Sequence, residues 1–132
     1  FFKKYVILAI MKNKIQNYKI DAKARILGRL ATEAAVLLWG KNRPDFVPNK
    51  VPNTKVHVFN IAKIKVSGKK FEDKLYYSHS GYVGNLKVKN FKEIFEKDPC
   101  IVMRKAVLGM LPKNKLRKIM IKNLKLYEGE IN

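Results

Sequence analysis

The apolar residues between Ile26 and Leu38 recur at the spacing of one helix face, and they constrain the fold more than any other feature. This spacing predicts an amphipathic helix over residues 27–39, which Gly40 is suited to end. The segment before it, residues 17–22, alternates between apolar and polar as a strand does. A strand followed by a helix that must bury one face predicts the start of an α/β domain.

The rest of the chain continues this alternation. Three prolines, at positions 44, 48 and 52, predict a loop over residues 41–53. We then predict strands over 55–61 and 74–79, helices from Phe91, from Pro99 to about Met110 and over 114–122, and a last strand over 124–127. Strands that alternate with helices indicate an α/β fold with a mainly parallel sheet. The chain has 132 residues, which fit one domain, assigned here to residues 17–132.

Residues 1–16 are expected to form an N-terminal extension that packs on a partner. The apolar run from Tyr5 to Ile10 is shorter than the core of a signal peptide, roughly 7–15 residues, and no small-residue cleavage site follows it. A remnant of a targeting sequence is the alternative. No apolar run approaches the roughly 18 residues of a transmembrane span.

The charge balance indicates the kind of partner. There are 29 Lys and Arg residues against 10 Asp and Glu residues, which gives a net charge of +19. Solubility needs a net charge of only about 2–8 in a small domain. A chain with this much self-repulsion is typical of proteins that neutralise a polyanion. Nucleic acid is the first candidate, and an anionic membrane surface is the second.

The positive charge is concentrated in two stretches without acidic residues. The stretch between Asp45 and Glu72 carries Lys50, Lys55, Lys63, Lys65, Lys69 and Lys70. The stretch between Asp98 and Glu128 carries Arg104, Lys105, Lys113, Lys115, Arg117, Lys118, Lys122 and Lys125. A helix face that is merely exposed to solvent usually carries both acidic and basic side chains, paired at i and i+4. The second stretch therefore predicts a phosphate-binding surface, with a solvated face as the alternative.

The sequence shows no enzyme signature, no cofactor site and no metal site. Ser67-Gly68-Lys69 lacks the upstream glycine of a phosphate-binding loop, and residues 26–29 hold one of the glycines that a dinucleotide fingerprint requires. Ser78 and His79 are neighbours on a predicted strand, so they point to opposite faces and cannot act as nucleophile and base. The two histidines and Cys100 lack the paired spacing of zinc ligands. A single cysteine also excludes an intrachain disulfide.

Two other classes of function stay open. An RNA-modifying or nucleotide-binding enzyme on the same scaffold would need convergent acid, base or phosphate-cradling residues, which the sequence does not show. A peripheral membrane or scaffold protein would need a basic amphipathic helix with exposed aromatic residues, whereas the predicted helices have aliphatic faces.

Four segments resemble the bacterial-type large ribosomal subunit protein L13 family. They are NYKIDAKARILGRLA from Asn17, YYSHSGYVGNL from Tyr76, AVLGMLP from Ala106 and LKLYEG from Leu124, in the order and spacing of the family. The resemblance implies a three-layer α/β/α fold with a small, mainly parallel four-stranded sheet. It also implies a protein without catalytic activity that binds large-subunit ribosomal RNA early in assembly and contacts neighbouring ribosomal proteins.

The resemblance and the charge pattern together predict the RNA-binding residues. From the resemblance these are Arg29, Lys41, His79, Ser80, Gly81, Tyr82, Lys105, Lys113, Lys115, Arg117 and Lys118, and the charge pattern adds Lys69, Lys70 and Lys122. On the predicted helix 114–122, the spacing places Lys115, Lys118 and Lys122 on a basic face and Leu116, Ile119 and Met120 on an apolar face that docks to the core. Among Tyr76, Tyr77 and Tyr82, one or two are expected in the core, and the others could stack on bases.

The chain departs from the family pattern in its loops. Residues 51–55 replace an acidic stretch, Val83 stands where Pro is usual, Gly84-Asn85 replaces a glycine pair, and Asn114 replaces Gly. These changes affect the expected loop geometry but not the expected fold. The composition, rich in Lys and Asn and poor in Arg, together with a first residue other than Met, leaves a mitochondrial or a bacterial ribosome open, with a slight lean to the mitochondrion.

Overall fold

The computed structural model describes residues 15–130. Its strands are β1 (Gln16–Asp21), β2 (Thr54–Phe59), β3 (Leu75–His79), β4 (Leu86–Asn90) and β5 (Leu124–Leu126). Its α-helices are α1 (Leu27–Trp39), α2 (Lys70–Asp73), α3 (Phe91–Lys97), α4 (Pro99–Met110) and α5 (Arg117–Lys122). A short 3-10 helix, Ile61–Lys63, follows β2. Residues 1–14 of the predicted N-terminal extension lie outside the described residues.

A parallel sheet organises the described chain. β2 lies between β1 and β5 and pairs with both in parallel, with Tyr18 beside Val56 and Val58 beside Leu126. Parallel neighbours need crossover connections, which α1 provides between β1 and β2 and the later helices provide between β2 and β5. The α/β class and the parallel sheet are confirmed.

The number of strands in this sheet differs from the expectation. Among the described residues the parallel sheet has three strands instead of four, because β3 pairs antiparallel with β4 in a separate two-stranded hairpin. The loop between β3 and β4 is too short for a crossover, which needs about a dozen residues, so these two strands can pair only antiparallel. The strand β4 was not predicted: its residues lie between the strand predicted over 74–79 and the helix predicted from Phe91.

The core lies on one face of the parallel sheet. Along β2, Thr54, Val56 and Val58 are buried, whereas the alternate residues are half-buried. The buried residues pack against α1 and α4, which lie beside each other and contribute Leu30, Leu38, Met103 and Val107 among others. The alternation explains why the strand tolerates Lys55 and His57 on its other face.

A cluster of aromatic rings joins the hairpin to the helices. Phe91 is fully buried, and its ring centroid lies 5.6 Å from that of Phe71, 5.7 Å from that of Phe95 and 6.3 Å from that of Tyr76. These residues belong to α3, α2 and β3, so one buried ring connects three short elements that could not bury much surface alone.

Capping residues in the sequence explain the end of α1 and the start of α4, but not the starts of α3 and α5. Gly40 ends α1 with φ +82°, and a Cβ there would lie 3.0 Å from Cγ of Pro52. Asp98 caps α4 by accepting a hydrogen bond from the Cys100 N–H at 2.9 Å. The side chain of Asn90, in contrast, makes no capping hydrogen bond to α3, although this helix begins where predicted. The α5 helix begins at Arg117 instead of residue 114, and its N-cap residue, Leu116, provides no side-chain cap. The Asn114 side chain accepts the Arg117 N–H at 3.1 Å in the turn that precedes the helix.

Candidate nucleic-acid interface

The positive charge of the described residues is largely free of acidic partners. Within residues 15–130, the ion pairs are Arg25 with Glu33 and Arg43 with Asp45, the latter at 3.6 Å. None of the cations predicted to bind RNA belongs to either pair. Because these side chains are not neutralised internally, they are available to an external anion.

Three lysines line one cleft between the start of α1 and the end of α4. This lysine cleft, of about 430 Å³, is bordered by Lys70, Lys74 and Lys105, with Leu27, Phe91 and Ala106 among its apolar lining. Nζ of Lys105 lies 4.6 Å and Nζ of Lys74 5.4 Å from the centre of the Tyr76 ring. The fold thus brings together Lys70 and Lys105, which are far apart in sequence, and adds Lys74, which sequence reasoning missed.

Two glycines also line the lysine cleft, Gly28 in the first turn of α1 and Gly109 in the last turn of α4. A Cβ at either position would meet no atom of the described chain within 4 Å, so internal packing does not require glycine there. Glycine within a helix costs roughly 0.5–1 kcal/mol relative to alanine, and one compensating benefit is close approach of a ligand to the backbone. The first turn of α1 also has no acidic residue and no side-chain cap, so its partial positive charge is uncompensated.

Arg29 and Lys41 lie at opposite ends of α1. Arg29 is in the same turn as Gly28, whereas Lys41 follows the helix and places its Nζ 4.2 Å from the centre of the Trp39 ring. A helix of 13 residues separates its two ends by roughly 20 Å. Lys41 therefore does not belong to the lysine cleft.

A second depression, of about 310 Å³, lies on another side of α4. It is lined by Arg104, Lys122 and Lys125 together with Tyr127. Lys122 was predicted individually, whereas Arg104 and Lys125 were predicted only as members of the acid-free stretch that is expected to bind phosphate. Arg104 and Lys105 are adjacent in α4 but line different depressions, so this helix presents positive charge on two sides.

The segment around α5 is basic, but its arrangement differs in part from the prediction. Lys113, Lys115, Lys118 and Lys122 are exposed and Arg117 is half-buried, while Met120 is buried as expected. Lys115 and Leu116 precede the helix, so the basic and apolar faces predicted for a helix over residues 114–122 do not form in full. Ile119 is 50% exposed, and its predicted docking to the core is wrong.

The predicted residues 79–82 form the tip of the β3–β4 hairpin. Gly81 has φ +90°, and its N–H donates to Nδ1 of His79 at 2.9 Å. Since Nδ1 accepts this bond, the neutral imidazole carries its proton on Nε2 and can donate there.

Tyr82 is 76% exposed. Tyr76 is half-buried and burial raises its pKa, so of the three tyrosines it is the one in the core. Lys69 is exposed immediately before α2.

The described residues do not assemble catalytic groups. Ser78 and His79 lie on opposite faces of the hairpin, as predicted from their adjacency, and no carboxylate within residues 15–130 is hydrogen-bonded to His79. Asp98, Cys100 and Glu128 each place a possible ligand atom within 4.8 Å of the others. However, burial, with a further contribution from the two carboxylates, raises the pKa of the Cys100 thiol to about 11. The thiol is therefore protonated at neutral pH and is a poor nucleophile.

We expect the reactivity of Cys100 to reflect this raised pKa. In the folded chain, alkylation by iodoacetamide should keep rising up to pH 10, because the thiol is half-ionised near 11. In urea the same thiol should titrate near its ordinary pKa of about 8.5 and react roughly twentyfold faster at neutral pH, because the larger thiolate fraction outweighs the lower intrinsic nucleophilicity. The folded state thus favours the neutral thiol, and its contribution to stability is lost as the pH rises towards 11. A reactivity plateau below pH 9 in the folded protein would contradict this expectation.

Comparisons with known proteins identify the family of this chain. The family model described as ribosomal protein L13 matches residues 15–132. The chain is 46% identical over 112 residues to the large ribosomal subunit protein uL13 of Alkalilimnicola ehrlichii, an alignment that covers 85% of this chain and 79% of that protein. It is 51% identical over 111 residues to the protein of the same name from Helicobacter pylori, covering 84% and 79% of the two chains. Among the described residues, no helix is long and apolar enough to cross a membrane. A family match over nearly the whole chain, with relatives about half identical across most of their length, shows that the chain belongs to the ribosomal protein L13 family.

Proposed function

We propose that this chain is a structural constituent of the large ribosomal subunit that binds large-subunit ribosomal RNA and supports early subunit assembly. The observation that carries the proposal is the set of cations without ion-pair partners in the described chain, gathered in the lysine cleft and the second depression of a member of a ribosomal protein family. Family membership also supports the absence of enzymatic activity, and no observation favours an RNA-modifying enzyme.

The proposed mechanism is electrostatic. Lys and Arg side chains displace condensed counterions from phosphates, so affinity falls steeply as salt rises. The deep groove of A-form RNA hides its base edges, so recognition relies on backbone, 2′-hydroxyls and shape. In this mechanism the lysine cleft receives a stretch of RNA backbone close to Gly28 and Gly109, with Arg29 beside it. The residues around α5 and at the hairpin tip supply further contacts.

The test of this proposal is sedimentation of a lysate through a sucrose gradient at low and at high salt. The chain should migrate with large subunits and be released only as salt weakens its phosphate contacts. A free pool at low salt would contradict the ribosomal role, and a membrane pellet would favour the peripheral membrane alternative.

We also propose that neighbouring ribosomal proteins contact this chain and that its ribosome is mitochondrial or bacterial. The relatives named above are bacterial. The Lys- and Asn-rich composition supports a mitochondrial ribosome slightly over a bacterial one, and fractionation of purified organelles distinguishes the two.

Close approach of RNA to the lysine cleft predicts opposite effects on stability and binding for Gly109→Ala. The substitution should stabilise the free protein by about 0.5 kcal/mol, because alanine restricts the unfolded chain and fits the helical backbone. It should weaken binding to large-subunit rRNA about tenfold, since a methyl group between closely packed surfaces costs roughly 1.4 kcal/mol. Urea unfolding and filter binding measure the two effects.

The matched control is Gly129→Ala. A Cβ at Gly129 also meets nothing within 4 Å, and this glycine lies outside the lysine cleft. It should leave RNA affinity unchanged. Equal affinities for the wild type and Gly109→Ala would show that RNA does not approach this part of the cleft.

A further inference from the structure

The β3–β4 hairpin exposes more apolar surface than its position in a small α/β domain requires. Of its ten strand residues, every one except Tyr76 is exposed. Leu75, Tyr77, Leu86 and Val88 are 41%, 65%, 59% and 47% exposed. A contiguous group of large apolar side chains in water is costly and usually marks an interaction surface.

The hairpin separates its apolar and its basic residues onto two faces. The register pairs Tyr77 with Val88 and His79 with Leu86, and residues paired in this way share a face. Leu75, Tyr77, Leu86 and Val88 form what we call the apolar face, which carries no Lys or Arg. Asn90 lies opposite Leu75 at one end of this face, and His79 belongs to the hairpin tip at the other end. The register also pairs Tyr76 with Lys89 and Ser78 with Lys87, which form the opposite, basic face.

The basic face is continuous with the lysine cleft. The Tyr76 ring on this face lies next to Nζ of both Lys74 and Lys105, which border the cleft. The cations of the hairpin therefore extend the surface that we propose for RNA. The apolar face points to the other side of the same two strands, away from these cations.

We propose that the apolar face docks onto an apolar, uncharged or acidic surface of a neighbouring protein in the large subunit, while the basic face lies against RNA. This inference rests on the proposed function. The lack of cations on the apolar face indicates which kind of molecule binds there. A face without cations gains nothing from phosphates, and RNA stacked on Tyr77 would bring its backbone to the side that lacks Lys and Arg. A second copy of this chain is disfavoured by the repulsion between two net charges of +19.

The apolar face also has the composition of a protein interface. Tyr and large aliphatic residues are typical of the buried centres of such interfaces, from which charged residues are depleted. A β-hairpin holds its side chains in a fixed alternation, so one side can bury apolar surface while the other keeps its charges solvated or paired with phosphate.

Site-specific photocrosslinking distinguishes the two faces within assembled particles. p-Benzoylphenylalanine is introduced at Tyr77 in one variant and at Ser78 in another, and large subunits that contain each variant are isolated on gradients. These neighbouring positions differ mainly in the face they occupy. Position 77 should crosslink to a discrete protein in an adduct that survives ribonuclease, and position 78 should crosslink to RNA.

Each other outcome overturns the proposal in a recognisable way. An RNA adduct from position 77, an adduct with a second copy of the chain, or no protein adduct from position 77 when position 78 reacts would each contradict protein docking. If neither variant, nor the wild-type chain, migrates with large subunits, the proposed ribosomal function fails and this inference fails with it.

A pair of double variants provides a second readout that does not need crosslinking. Tyr77→Thr with Val88→Thr makes the apolar face polar, while threonine preserves the tendency to form strands. It should leave affinity for isolated rRNA within twofold of the wild type but lower retention in salt-washed large subunits at least fivefold.

The matched double variant, Lys87→Thr with Lys89→Thr, changes the basic face and should affect RNA binding directly. It should weaken binding to isolated rRNA and reduce the salt slope by about two units, one for each lost phosphate contact. If the apolar-face variant weakened binding to isolated rRNA as much as the basic-face variant does, RNA would be the occupant of the apolar face.

Discussion

Replacing Lys113, Lys115, Arg117 and Lys118 together by alanine should lower affinity for large-subunit rRNA about a hundredfold, if each contact contributes ~0.7 kcal/mol. The slope of log affinity against log salt should become shallower by roughly one unit for each lost phosphate contact. None of these four cations forms an ion pair within residues 15–130, and three of them are exposed. The fold should survive, because the Asn114 side chain bonds to the backbone N–H of residue 117, which the substitution keeps, and alanine favours helix.

Filter binding at several salt concentrations measures both effects. The matched control removes four other exposed lysines that line neither depression: Lys19, Lys23, Lys92 and Lys97. This control changes the net charge equally but should reduce affinity far less. Equal losses in the two variants would mean that RNA responds to the total charge of the protein and that the segment around α5 has no special role.

Replacing Phe91 by alanine should destabilise the fold by about 3–5 kcal/mol, since a large buried ring is lost and a cavity remains. This is a large part of the 5–15 kcal/mol that typically separates folded from unfolded domains, so the variant is expected to unfold partly at physiological temperature. Phe91 is completely buried, contacts the rings of Phe71, Phe95 and Tyr76, and lines the lysine cleft. Its loss should therefore weaken RNA binding as well as stability.

Urea unfolding measures the change in the free energy of unfolding. Phe91→Leu keeps most of the apolar volume and should cost less than about 1.5 kcal/mol, which provides a folded variant for binding experiments. Phe95→Ala should cost less than Phe91→Ala, because Phe95 is only half-buried. A loss below 1 kcal/mol for Phe91→Ala would show that the aromatic cluster does not hold the hairpin to the helices.

The elements that the sequence predicted well are those with several agreeing local signals. The α1 helix has the predicted bounds because its apolar spacing, Gly40 and the following prolines all indicate the same segment. The α4 helix likewise follows from Asp98 and Pro99. The hairpin strand β4 was missed although its residues alternate between apolar and polar, because the run is only five residues long and leads directly into the helix that begins at Phe91.

The residues of the candidate site could be proposed from the sequence, but their arrangement in space could not. The acid-free stretches identified Lys70 and Lys105, but their meeting in one cleft depends on how α1, α2 and α4 pack. Lys74 has acidic neighbours in sequence, at Glu72 and Asp73, so charge counting along the chain overlooked it. The opposite faces of the hairpin became visible only once the β3–β4 register was known.

The position of β5 has a consequence for the order of events during synthesis. β5 pairs with β2 through residues 124–126 and 56–58, which lie 68 positions apart along the chain (124 − 56 = 68). The N–H of Asn60 also donates to the carbonyl of Gly129. A nascent chain therefore cannot close the edge of β2 until nearly all of the described chain has been made, and such distant pairings form slowly. Chains truncated before Leu124 would leave this edge of β2 unpaired. The crossover through α4 and α5 would then lack the strand that fixes its end to the sheet. Completion of the sheet, and with it the packing of the helices that carry the proposed RNA-binding surface, therefore waits for the synthesis of residues 124–129.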